Sequence, residues 1–142
     1  MALRWADFIT PSTLQLAPLL DLLLEPLRQA QGVPMDVHLG LQEVLVNAVR
    51  HGNGCDPCKC LRVRRILTPN WVIWQVQDEG PGLPCHARQR ELPANPEALT
   101  GRGLFIIHTC FDDVRWSRRG NRLQVAVRRD RFSGRGSGSQ GP

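Results

Sequence analysis

Apolar residues recur along this chain with two periods, and the switches between them mark its elements. Over 1–10, Leu3, Trp5, Phe8 and Ile9 alternate in part with other residues, as a first strand at a sheet edge would. From 12 to about 31 the apolar spacing is helical, and Gly32 ends the run. Ser12 is placed to cap this helix, or Pro11 to be its first residue. Pro18 and Pro26 inside it predict a kink or a break. A second helix opens at Pro34 or Asp36. Leu41, Val44, Leu45 and Ala48 give it one apolar stripe at i, i+3, i+4, i+7, and Gly52-Asn53-Gly54 stops it. Period two then takes over. Leu61, Val63 and Arg65 alternate with Arg62, Arg64 and Ile66, and Thr68-Pro69-Asn70 turns the chain. In the next strand Val72, Trp74 and Val76 share a face. Asp78 ends that strand in phase with them, so its carboxylate points toward the covered side of the sheet.

Between 83 and 100 neither period survives. Pro84, Pro93 and Pro96 interrupt a polar stretch about as long as a mobile active-site lid. Leu104, Ile107, His108 and Phe111 then form the core-facing set of a helix over 103–111. Two strands, 114–119 and 122–129, flank a Gly120-Asn121 turn, and Leu123, Val125 and Val127 alternate cleanly. The end is Gly/Ser-rich. The chain therefore divides into one domain, 1–131, and a disordered tail, 132–142. Strand, two helices, two strands, lid, helix, two strands is an α+β order. It predicts a two-layer sandwich, a mixed and mostly antiparallel sheet with helices on one face.

A length of 142 residues suits one core and not two. The one long apolar stretch, 14–27, is broken by Pro18, Asp21, Glu25 and Pro26, so no transmembrane segment is expected. Residues 1–10 lack a charged leader followed by an apolar block, and a cytoplasmic protein is the expectation. The net charge of +5 comes almost wholly from arginine, with Lys59 the only lysine. These arginines are scattered, no aromatic-interleaved basic motif occurs and tyrosine is absent. An anionic nucleotide and an acidic protein partner account for the charge more simply than nucleic acid does. Five cysteines, an odd number, argue for free thiols. Cys55-x-x-Cys58-x-Cys60, with His51 upstream, has the spacing of half a Zn2+ site; the other half is missing unless Cys85 and His86 supply it. A thiol-rich or redox-sensitive loop is the alternative.

Three short stretches carry the chemistry. Glu43, Asn47 and His51 fall at i, i+4, i+8, one turn apart on a helix face beside the apolar stripe. A carboxylate and a carboxamide so placed suit a hard cation such as Mg2+, which binds few protein oxygens together with substrate phosphates. The second stretch is Asp78-Glu79-Gly80-Pro81-Gly82, and the third Gly101-Arg102-Gly103-Leu104, read as a loop that opens a helix.

In that order, these stretches resemble the nucleotide boxes of the Bergerat-fold ATPases: gyrase, heat-shock chaperone, histidine kinase and mismatch-repair ATPase. Glu43-x3-Asn47 with His51-Gly52 resembles the N box, Asp78-x-Gly80-x-Gly82 the first glycine box, and Gly101-x-Gly103-Leu104 the second. Spacing and order are most similar to the small bacterial anti-sigma-factor serine/threonine kinases, over about residues 3–129. The resemblance implies ATP and Mg2+ as cofactors, with Asn47 as metal ligand and Glu43 as general base. It implies that Asp78 accepts a hydrogen bond from the adenine amino group while Gly80 and Gly82 let the backbone approach the base. Gly101, Arg102 and Gly103 would cradle phosphate, with Thr100 capping the helix or touching phosphate and Leu104 alongside. His51 is expected to favour the helix end rather than to do chemistry. The implied activity is transfer of the γ-phosphate to a serine or threonine of an antagonist (anti-anti-sigma) protein by a homodimer that also sequesters a sigma factor. No direct nucleic-acid or membrane partner is expected. Two other readings stand: a nucleotide-binding regulatory module without transfer, and a thiol or zinc sensor through Cys55, Cys58 and Cys60.

Overall fold

The computed structural model of the protein describes residues 3–30, 32–88 and 99–133. Five strands form one sheet: β1 (Arg4–Pro11), β2 (Cys60–Leu67), β3 (Trp71–Gln77), β4 (Asp113–Trp116) and β5 (Arg122–Arg128), in the spatial order β1-β2-β3-β5-β4. Each of the four pairings is antiparallel, so the sheet is not mixed. β1 is an edge strand. Helices α1 (Ala17–Ala30), α2 (Met35–Asn47) and α3 (Leu99–Cys110) supply the helical layer, and a short α4 (Asp130–Ser133) follows β5. The fold is α+β, a two-layer sandwich.

The core lies where the patterns place it. Val72, Trp74 and Val76 of β3 and Leu123, Val125 and Val127 of β5 are buried, as are Leu41, Val44, Leu45 and Ala48 of the α2 stripe. Each such side chain withdrawn from water contributes about 1.5–3 kcal/mol. In α3 Ile107 and Phe111, the residue after its end, are buried, while Leu104 and His108 are only half-buried. Gly40 brings α2 and α3 together, because a β-carbon there would fall on Cys110 and the ring of Phe111. That ring meets the buried Trp74 edge-on at 6.1 Å.

The start of α1 differs from the expectation. Pro11 stays in the ladder opposite Cys60, and the Ser12 N–H donates to the carbonyl of Lys59 at 2.9 Å. Pairing with β2 therefore overrides the capping preference of Ser12, and the helix starts at Ala17. Pro18 then sits in the first turn, where its missing N–H has no consequence. Of the kink or break expected at Pro26, no break occurs, and α1 runs through it. Pro26 cannot donate to the Leu22 carbonyl, and Arg65 from β2 donates to it instead. The indole N–H of Trp74 takes the next carbonyl, Leu23, at 3.1 Å.

Of the expected tail, residues 132 and 133 belong to α4. In α4 Phe132 packs against the core, and Arg131 pairs with Asp36 of α2 at 2.6 Å and Asp112 at 3.5 Å. The rest of the expected tail, 134–142, and the middle of the expected lid, 89–98, lie outside the described residues.

Candidate functional site

α2 does not simply stop at its glycines. Past Asn47 it widens into a π-helical turn, Ala48–Gly52, in which the Asn53 N–H reaches back five residues to the Ala48 carbonyl at 2.8 Å. Single π turns cluster at functional sites because they re-aim the residues around them. Here the turn delivers Gly52 against Asp78. A β-carbon on Gly52 would overlap the Asp78 carboxylate, and one on Gly80 would overlap the Gly52 carbonyl. Both glycines are steric necessities of this junction.

Asn53 fastens it. The side chain is 1% exposed; its Oδ1 accepts from the Glu79 N–H at 2.8 Å and its Nδ2 donates to the Cys60 carbonyl at 3.0 Å. Glu79 in turn accepts from the Cys60 N–H at 2.6 Å. Sequence reasoning treated Asn53 as a stop signal and missed this role. Its one visible mark is that a carboxamide offers donor and acceptor together, between two glycines that let the chain fold around it.

Asp78 follows β3 directly, its N–H bonded to the Asn121 carbonyl at 2.9 Å. Its Oδ1 accepts from the Gly80 N–H at 2.7 Å. Burial pushes the carboxyl pKa above the usual aspartate range, while that amide and the charge of Lys59 pull the other way. The half-buried carboxylate thus faces a cavity with few donors of its own. That cavity, about 360 Å³, is lined by Asn47, His51 and Gly52 on one side, Asp78, Pro81 and Gly82 on another, and Leu104, Trp116 and Asn121 on a third. Its size falls in the range of about 300–1,000 Å³ typical of small-molecule sites. Gly82, at φ +91°, approaches the Arg119 carbonyl too closely for any side chain.

The third stretch is not a loop ahead of a helix. α3 begins at Leu99, so Gly101, Arg102 and Gly103 lie inside it. The amides without an acceptor inside the helix are those of its first turn, which includes Gly101 but not Gly103. Gly103 contributes space instead. It is buried, and a β-carbon on it would stand 3.1 Å from Asn47 Nδ2 and 3.2 Å from both Asn47 Oδ1 and Glu43 Oε2. A helical glycine therefore brings α3 onto the carboxylate and carboxamide of α2. Arg102 is exposed. The side chain of Thr100 lies outside the described residues.

Asn47, Asp78, Gly82 and Leu104 meet at the cavity; Glu43 sits beside it against Gly103, and Gly80 lies behind Gly52. The oxygens of Asn47 and Glu43 suit a hard cation held jointly with a polyphosphate. Cys55, Cys58, Cys60 and Cys85 are free thiols, and among the described residues no three His, Cys, Asp or Glu side chains are grouped to hold a metal ion. Nor, among those residues, is any helix long and apolar enough to cross a membrane.

No curated protein matches the chain. A family model for the histidine kinase-like ATPase domain matches residues 12–128, and the chain belongs to that family.

Proposed function

We propose that this histidine kinase-like ATPase domain is a regulatory serine/threonine protein kinase of the anti-sigma-factor type. The observation that carries the reading is one cavity that joins Asp78 to Asn47, with Glu43 held next to Asn47 by Gly103. Asp78 accepts from the amino group of adenine; a hydrogen bond to a charged acceptor is worth about 1.5–3 kcal/mol. Gly52 and Gly80 keep its carboxylate at the cavity wall. The first-turn amides of α3 face the phosphates.

Asn47 would hold Mg2+, and that ion would supply neutralisation of the phosphate charge. Glu43 takes the proton from a serine or threonine hydroxyl as its oxygen bonds to the γ-phosphorus, and ADP leaves. Phosphoryl transfer depends mainly on positioning and charge neutralisation, so few side chains suffice. The acceptor is an antagonist protein, the regulated partner a sigma factor, the working form a cytoplasmic homodimer. The second reading is a regulatory module that binds nucleotide without transfer, and it differs only at Glu43.

Calorimetric titration of ATP and ADP, with and without Mg2+, on wild type and Asp78→Asn tests the site. Magnesium-dependent ATP binding that is lost in the variant supports it; absence of binding to wild type overturns it. Given binding, transfer of labelled γ-phosphate to an antagonist protein by wild type but not Glu43→Ala separates kinase from module.

A further inference from the structure

The segment that leaves the first glycine box is strapped to the turn between β4 and β5. The Leu83 N–H donates to the Gly120 carbonyl at 2.9 Å. Arg88, five residues on, reaches back over the same turn: its Nε donates to the Leu83 carbonyl at 2.8 Å and its Nη2 to the Arg118 carbonyl at 3.5 Å. Its guanidinium also lies 5.7 Å from the ring centre of Trp116, within cation–π range. Gly120, at φ +82°, makes room for this, since a β-carbon there would run into both the Leu83 carbonyl and Arg88 Nη2.

Trp116 lines the same cavity as Asp78. Its indole N–H is buried without an acceptor, so no hydrogen bond of its own fixes the ring plane. Packing and the guanidinium of Arg88 do that. We infer that Trp116 is the aromatic wall for the nucleotide base, and that Arg88 is a positioning residue which holds this wall and ties it to the segment beyond the glycine box. The inference rests on the reading of the cavity as an adenine site. An aromatic face recognises the base and is indifferent to the phosphates, so the pair governs base-dependent affinity and not polyphosphate affinity.

The experiment follows tryptophan emission and calorimetric heat as ATP, ADP and inorganic tripolyphosphate are added to wild type, Arg88→Gln, Arg88→Lys and Trp116→Phe. Nucleotide should quench wild type, and Trp116→Phe should lose most of the quench although Trp5, Trp71 and Trp74 remain. Arg88→Gln should weaken ATP and ADP about tenfold and leave tripolyphosphate within twofold. Arg88→Lys should fall between, because it keeps a cation over the ring but loses the fork to the two carbonyls. Equal losses for ATP and tripolyphosphate, or unchanged ATP affinity in both Arg88 variants, overturn the inference while the adenine site stands. Wild type that binds no nucleotide overturns both.

Discussion

The carbonyl oxygen of Gly52 occupies the space that a β-carbon on Gly80 would need. The end of the π turn and the turn after β3 are thus in backbone contact, with nothing flexible between them. Gly80→Ala should lower stability by about 1–3 kcal/mol, the range for overpacking a close-packed contact. Scanning calorimetry should show a fall in Tm of several degrees. Gly54→Ala is the control. Gly54 has open space around it and only its φ of +61° to lose, so its cost should be smaller. Equal losses at the two positions would show that conformation, not contact, decides.

Asp78 carries a raised pKa in the folded protein because burial disfavours its charge. A carboxyl raised on folding adds most stability below its unfolded pKa and loses that contribution as pH rises through the folded value. At neutral pH it is a burden that a ligand donor relieves. Asp78→Asn should therefore leave Tm at pH 7 unchanged or higher while abolishing measurable ADP binding. In wild type, ADP affinity should fall as pH drops through the raised range, as the carboxylate that accepts the adenine hydrogen bond takes up a proton. A variant that loses stability at pH 7 would contradict the account.

Gly103 separates α3 from Asn47 and Glu43 by less than a methyl group requires. Gly103→Ala pushes on both side chains at 3.1–3.2 Å, so they must shift by a few tenths of an ångström. The enhancement of ATP affinity by Mg2+ should drop about tenfold, whereas metal-free ADP affinity, which depends on Asp78, should change less than threefold. Asn47→Ala should remove the enhancement altogether. Isothermal titration at saturating and zero Mg2+ reads each effect directly.

Asn53→Ala leaves the part-buried Glu79 N–H and Cys60 carbonyl without their partner. Losing these two part-buried hydrogen bonds should cost about 1–2 kcal/mol in urea unfolding. Faster hydrogen exchange at the Glu79 amide should accompany it, and unchanged protection there would rule Asn53 out as the fastening residue.

Arg65 and Pro26 form a compensating pair. Arg65→Ala removes the donor that serves the Leu22 carbonyl, and should cost about 1.5–3 kcal/mol. In a Pro26→Ala background the helix regains its own N–H for that carbonyl, and the same change should cost at least 1 kcal/mol less. Additivity of the two changes would leave the contact without energetic weight.

Periodic features were legible because they depend on near neighbours. The alternation of Val72, Trp74 and Val76 carried the phase of Asp78 into the cavity, and the stripe from Leu41 to Ala48 gave the face of α2. Features fixed by distant chain were not. Ser12 has the composition of a cap, yet the ladder through Pro11 and Cys60 holds it in extended chain. Gly101 and Gly103 have the composition of a breaker, yet both lie within α3, where close packing of Gly103 on Asn47 admits glycine within a helix. The π turn leaves no local signature, since its register is set by Gly52 meeting Asp78. The clasp of Arg88 on Trp116 joins a loop residue to the end of β4 and is invisible to any short window.

The strand order carries a consequence for synthesis. β5 is made after β4 yet inserts beside β3, and the far wall of the cavity comes from Trp116, Gly120, Asn121 and Leu123. A nascent chain that has emerged only through β3 possesses Asn47 and Asp78 but no pocket, and one sheet edge stands open. Nucleotide therefore lacks a complete pocket until the β4–β5 hairpin has left the ribosome. Ligand binding in this protein reports a completed sheet.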